Sequence, residues 1–292
     1  IATNGRDGFY TGKVAEDLVA TLRDLGGLHT PADFAAQRAS AVTPVSVRYR
    51  DVELFELPPS NQGLVALLLL RMHERMGPVA GGPDSPERYH VLLEAARLAY
   101  AVRDRYVADP EVAQTPVEAI LSDRYVDNLV ARIDRKQRRT DLGPVPAPVG
   151  SDTTYLTVVD ETGMAVSFIN SLFSDFGSGI VGRRSGIALN NRAQGFSLDP
   201  RHPNAIAPGK RPLHTLVPAY ATRGGRPWLS FGVMGGAFQP TGHVFVLTSM
   251  VEHGLDPQEA IDLPRIFFEG GETLVEETVP AHVLSALEGM GH

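Results

Sequence analysis

Thr153 is the residue of this 292-residue chain whose type and setting most plainly invite chemistry. It opens the run Thr153-Thr154-Tyr155-Leu156-Thr157-Val158-Val159-Asp160, behind Gly150-Ser151-Asp152 and the proline-rich stretch Gly143-Pro144-Val145-Pro146-Ala147-Pro148. A segment that cannot pair gives way to β-branched residues, so Thr153 is predicted at the first position of a strand. A threonine hydroxyl is a poor nucleophile without an adjacent base. Cutting the chain between Asp152 and Thr153 would supply one, because the freed α-amine, with an ordinary pKa of roughly 7.7 to 8.0, belongs to the same residue. Taken alone, the run is also a plain strand showing threonines to solvent.

A second run, Met164 to Ser171, follows across Asp160-Glu161-Thr162-Gly163, which has the turn chemistry of a hairpin. Placing Asp160 opposite Gly163 puts Thr153 opposite Asn170, with Ser171 beside it, so hydroxyls and an amide gather at the strand start. Further on, Met234-Gly235-Gly236 separates a strand-like run from a helix. Two glycines there could aim backbone N–H groups at an oxyanion, although Gly-Gly equally makes a plain strand-to-helix turn. The polar loop Ser60-Asn61-Gln62-Gly63 is either part of a site or a connector.

The elements that must hold these groups divide unevenly along the chain. Residues 13 to 25 carry Val14, Leu18, Leu22 and Leu25 at helical spacing and stop at Gly26-Gly27; Thr30-Pro31-Ala32-Asp33 caps a short helix. Ala41 to Tyr49 and Val52 to Leu57 read as strands before a Leu-rich helix. Long helices are predicted from Pro86 to about Ala108 and from Pro116 to about Ile133, the second with a Thr115/Glu118 capping box. The basic run Arg132 to Arg139 reads as a solvated helix end leading into the linker. Beyond the hairpin, Leu213 to Tyr220 and Trp228 to Gly232 are strand-like, and helices are expected over about 241–253, 256–263 and 282–288. Short strands are expected near 265–268 and 273–276. The pattern is α+β, with helices dominating the amino half and strands the carboxyl half.

Composition narrows the function classes. Hydrophobic residues make up 43%, enough for a substantial core, and no apolar run reaches membrane-span length. With 34 acidic against 27 basic residues the formal charge is -7, without a basic stripe, which argues against a nucleic-acid partner. The absence of cysteine excludes thiol chemistry and leaves the compartment open between cytoplasm and periplasm or exterior. Nine histidines are scattered without metal-ligand spacing, so neither a metal nor an organic cofactor is expected. The amino terminus has neither an initiator methionine nor a signal pattern, and a piece of a longer protein is the expectation.

Together, Gly5-Arg6-Asp7-Gly8-Phe9-Tyr10-Thr11-Gly12, Thr153 to Asp160, Phe176-Gly177-Ser178-Gly179-Ile180, Pro208-Gly209-Lys210-Arg211-Pro212-Leu213 and Glu259-Ala260-Ile261-Asp262-Leu263-Pro264-Arg265 resemble the γ-glutamyltransferase family of amino-terminal-nucleophile hydrolases. The resemblance implies a four-layer αββα sandwich and a precursor that cuts itself between Asp152 and Thr153. Residues 1–152 would then be part of the large subunit and 153–292 the small, catalytic one, the two remaining associated. It implies Thr153 as nucleophile, Ser171 as its support, Gly235 and Gly236 as oxyanion donors, and His214 and Thr215 at positions that hold the substrate α-carboxylate. It also implies an amino-terminal segment, with a carboxylate-binding arginine, and a closing segment that this chain does not contain.

The chain departs from the family's pattern where the α-ammonium would bind. Arg192 and Gly195 stand where acidic or amide side chains are usual, Phe173 replaces a polar residue, and Tyr155 replaces a histidine. An ammonium would there meet a cation and no counter-charge, and Arg192 would either pair with a carboxylate on the acyl group or lie at the surface. The loop from Phe196 to Lys210 is shorter than in lidded relatives, which favours water as acceptor. The expected activity is hydrolysis of γ-glutamyl or related acyl amides. The alternatives are a glutaryl or cephalosporin-type acylase, transfer to amino acids or peptides, and an unprocessed, non-catalytic relic.

Overall fold

The computed structural model describes residues 1–141 and 152–292; the proline-rich linker and Gly150-Ser151 lie outside them. Three short amino-terminal helices, α1 (Asp7–Tyr10), α2 (Gly12–Asp24) and α3 (Pro31–Ala36), precede the strands β1 (Val45–Tyr49) and β2 (Val52–Glu56). The Thr30/Asp33 capping box forms as the sequence predicts. β1 starts four residues later than predicted, directly after Pro44, which has no N–H to give to a ladder.

Two helices, α4 (Gly63–Met76) and α5 (Pro86–Tyr106), supply the core. Leu64 to Leu70 are buried without a break, because α4 is covered by β1 and β2 on one side and by helices on the others. The predicted helix 116–133 is instead two, α6 (Val117–Ile120) and α7 (Asp123–Val130). The Thr115 hydroxyl donates to the Tyr106 carbonyl, and Ser122 caps α7 by accepting from the Tyr125 N–H. Side-chain bonds therefore restart the helix where periodicity alone would carry it through. The basic run is exposed at residues 132 and 134–137, as the sequence predicts, and is tied down at its end, where the Arg138 N–H donates to the Met290 carbonyl and the Arg139 N–H to Glu94.

The carboxyl half contributes the hairpin β3 (Asp152–Val159) and β4 (Ala165–Phe173), the pair β5 (Ala219–Arg223) and β6 (Arg226–Phe231), helices α8 (Gln239–His253) and α9 (Pro257–Asp262), a small hairpin of β7 (Ile266–Glu269) and β8 (Glu272–Val275), and α10 (Ala281–Gly289). Among the described residues the main sheet is antiparallel, in the order β1-β2-β5-β6. Leu213 to Val217, predicted as strand, is extended but bonded to side chains: Asn204 accepts from the Leu213 N–H, Asn61 donates to the Leu216 carbonyl and Gln239 accepts from the Val217 N–H. The ladder begins only after Pro218.

Strand alternation sets the stacking. Phe231 meets His243 of α8 with ring centroids 5.0 Å apart, so the neighbouring Ser230 points to the opposite face of the sheet. There it meets the hairpin, bonding to Tyr155 at 3.1 Å and Thr157 at 2.8 Å, while Ser167 donates to the Ala219 carbonyl. Helices, sheet and hairpin thus lie in succession. The Tyr155 ring lies so near Gly232 that a Cβ there would come within 2.5 Å of it. No helix among the described residues is long and apolar enough to cross a membrane.

Candidate active site

Thr153 pairs with Ser171, not with Asn170 as predicted; Asn170 faces Thr154. The turn is one residue longer than the predicted one. Asp160 accepts from the N–H groups of Thr162 and Met164, and Gly163 takes φ +85°, so the loop is Glu161-Thr162-Gly163 and the whole register moves by one. The change brings the predicted supporting hydroxyl directly across from the predicted nucleophile. Thr153 itself is 7% exposed.

A bulge interrupts the ladder at this point: Asp152 pairs with Phe173 and Thr153 with Ser171, leaving Leu172 unpaired. Phe173 is held at φ +87°, a conformation that costs a non-glycine residue on the order of 1 kcal/mol or more. The Ser171 hydroxyl accepts from the Phe173 N–H at 2.8 Å, which keeps its own proton free to turn toward Thr153. The chain runs on through the Asp152–Thr153 bond, so the Thr153 nitrogen is an amide and carries no basic lone pair.

Gly235 and Gly236 form the turn between the sheet and α8, at φ +118° and +54°, conformations that only glycine adopts without strain. Neither N–H has an acceptor among the described residues. The turn is tied down by Gln62, which is fully buried: its Nε2 donates at 2.8 Å to both the Gly236 and Thr215 carbonyls, and its Oε1 accepts from Arg103 at 3.0 Å. The loop left open as site or connector is therefore a clamp. Its backbone bonds that of His214 in both directions, from the Gln62 N–H to the His214 carbonyl and from the His214 N–H to Ser60.

The remaining predicted residues meet in one place. Asn191 donates its N–H to the Leu172 carbonyl and accepts from the Ser174 N–H, docking the Asn190-Asn191-Arg192 segment on the bulge. Arg192 donates to the Thr215 hydroxyl at 3.0 Å and lies 5.3 Å above the Phe173 ring. Burial lowers the Arg192 pKa to about 10. His214 is pushed down to about 4 by burial and by the Arg192 charge, so it is neutral at neutral pH, and its Nδ1 accepts from the Leu216 N–H.

Phe173, Gly195, Thr215 and Ala237 bound a cavity of about 310 Å³, which Arg103 and Asp104 also line. Gly235, Met234 and Phe238 belong to a different cavity of about 470 Å³, which residues of β7 and β8 also line. The larger cavity reaches Gly235 and the smaller one Ala237, at either end of the turn. Thr153 and Ser171 are in neither wall; they sit at the hairpin end beside Phe173. Sequence reasoning missed Arg103 and Asp104, which form an ion pair at 2.7 Å; the only hint was their place near the end of a long helix.

The chain spans about half the length of the curated relatives it matches. The glutathione hydrolase-like YwrD proenzyme of Bacillus subtilis is 40% identical over 268 residues, covering 91% of this chain and 50% of that protein. The oxamate amidohydrolase proenzyme of Klebsiella pneumoniae is 36% identical, covering 91% and 49%. Among solved structures, a cephalosporin acylase from Bacillus halodurans superposes with a TM-score of 0.88 at 38% identity, over 98% of this chain and 52% of that one. The acylase has the same mixed helix and strand organisation. With residues 1–292 all matched by the gamma-glutamyltranspeptidase family model, the chain belongs to that family.

Proposed function

We infer that this chain is the part of an autoprocessed amide hydrolase that carries its nucleophile, Thr153. The reading rests on one observation above others: Thr153, the second residue of β3 rather than the first as predicted, pairs directly with Ser171, while a two-glycine turn in the same half of the chain keeps two N–H groups free of acceptors among the described residues. In maturation the Thr153 Oγ attacks the Asp152 carbonyl carbon, the peptide C–N bond breaks, and water hydrolyses the resulting ester. Residues 1–152 and 153–292 then belong to separate, associated subunits, and the helix, sheet and hairpin layers are completed to a four-layer αββα sandwich.

In turnover the freed α-amine takes the hydroxyl proton as Oγ attacks the substrate amide carbon. Gly235 and Gly236 donate to the tetrahedral oxyanion, and Ser171 donates to Thr153. The protonated amine passes its proton to the leaving nitrogen, and water releases the acid from the acyl-threonine. The acyl group is γ-glutamyl or a related short acid, and water is the acceptor.

Mass spectrometry of the full-length protein tests this reading. A fragment beginning at Thr153 is expected, and Thr153→Ala should leave the chain whole and inactive. Full activity with the Asp152–Thr153 bond intact would refute the mechanism.

A further inference from the structure

The guanidinium of Arg192 is incompletely used. Its Nη1 donates to Thr215 and its plane lies over Phe173, but its Nη2 is buried and has no acceptor among the described residues. A guanidinium presents a planar fork of donors, and a buried donor without a partner is costly unless a ligand supplies one. The complementary ligand is a carboxylate, which can bridge two N–H groups of that fork.

The charge balance around it favours the same ligand. Asp104, the one acid lining the neighbouring cavity, is already paired with Arg103 at 2.7 Å. His214 is neutral, and both ring nitrogens of His202 are taken up by the backbone, at the Asn204 N–H and the Asp104 carbonyl. Arg192 is left without a carboxylate partner among the described residues. An incoming ammonium would meet repulsion there, and an incoming carboxylate would complete the pair.

Position makes this an acyl-side subsite. Phe173 stands one ladder pair beyond Thr153, so the guanidinium over its ring lies on the order of 10 Å from the Thr153 Cα, within reach of a short acyl chain. The cavity begins at Ala237, immediately after the oxyanion turn, and its 310 Å³ suits a group of a few carbons. The 470 Å³ cavity at the other end of the turn remains for the leaving amine.

We propose that Arg192 anchors a carboxylate subsite, and that the substrates are monoamides of short dicarboxylic acids whose acyl group carries a remote carboxylate and no ammonium. The proposal rests on the reading of Thr153 as the acylated nucleophile, and binding can be measured apart from that reaction. Titration calorimetry on the mature, full-length protein should find glutarate binding at least about tenfold more tightly than butyrate or glutamate. Arg192→Gln should erase that difference, and Arg192→Lys, which keeps charge but loses the fork, should restore part of it. In turnover, the specificity ratio of glutaryl over butyryl anilide should fall about 10- to 100-fold in Arg192→Gln. Equal binding of the three acids, or a glutarate preference that survives in Arg192→Gln, overturns the subsite. Arg192-dependent glutarate binding without hydrolysis of any anilide leaves the subsite standing and removes the Thr153 reaction. Hydrolysis without preference for the remote carboxylate does the reverse.

Discussion

Replacing Gln62 with methionine measures how far the proposed oxyanion turn, Gly235-Gly236, depends on a residue outside both cavity walls. Methionine keeps the length of the side chain and deletes its polar atoms. Lost are two neutral hydrogen bonds, to the Gly236 and Thr215 carbonyls, and one accepted from the Arg103 guanidinium. At about 1 kcal/mol for each neutral bond and about 1.5 to 3 for the charged one, the destabilisation is about 3.5 to 5 kcal/mol. A domain of ordinary stability survives that at 25 °C. The kinetic effect is separate. The Gly236 carbonyl belongs to the peptide plane that follows the second proposed donor, and without its tether the turn is free to rotate. Removing one oxyanion donor outright costs about 100- to 1000-fold in kcat, so loosening the turn should cost about 10- to 100-fold with little change in KM. The assay is steady-state hydrolysis of an acyl anilide by the full-length, processed enzyme, beside its urea midpoint. A lowered midpoint with kcat within twofold of the parent would show that the clamp stabilises the fold and has no part in aiming the donors.

Gly195→Asp places a carboxylate in the wall of the cavity beside Arg192, although the new Cβ would lie 3.0 Å from the Leu213 carbonyl oxygen and needs a small shift of that segment. The ratio of specificity constants, γ-glutamyl over glutaryl anilide, should rise about tenfold or more; an unchanged ratio would mean that an ammonium already finds Asp104. His214 contributes a pH dependence. Its folded pKa, about 4, lies below the unfolded value of about 6.5, so its contribution to stability is complete above about pH 6.5 and is lost as pH falls toward 4. Urea midpoints should decline over that interval, and His214→Gln should flatten the decline by up to about 1.4 kcal/mol per pH unit. Parallel curves for parent and variant would show that His214 is protonated in the folded protein.

What the sequence revealed was local. The capping box at Thr30/Asp33 and the start of helix α5 behind Ser85 depend on residues three or four apart, and both form; the box predicted at Thr115/Glu118 does not, because the Thr115 hydroxyl is taken by the Tyr106 carbonyl. The neighbourhood of Thr153 was legible because hairpin pairing follows from one turn, and it was misread by one residue because the turn is a residue longer than the predicted one. The single helix predicted over 116–133 failed at Ser122, where a side chain outcompetes periodicity. Gln62 and Arg103 had no readable signal. Gln62 gains its role from bonds to residues 41, 153 and 174 positions away, and nothing in Ser60-Asn61-Gln62-Gly63 announces them. The same holds for Asn204 and Gln239, whose amides take the place of ladder partners along 213–217.

The division of the site at the Gly235-Gly236 turn bears on how such a scaffold could diversify. On the proposed reading, the acid half of a substrate is judged by Arg192, Gly195 and Phe173, and the amine half by Met234, Phe238 and the β7–β8 hairpin. The two sets of walls have no residue in common. Substitutions on one side should then combine nearly additively with those on the other, since residues without shared partners couple weakly. New pairings of acid and amine would be reachable by searching each wall separately and recombining the winners, a much smaller search than varying both at once.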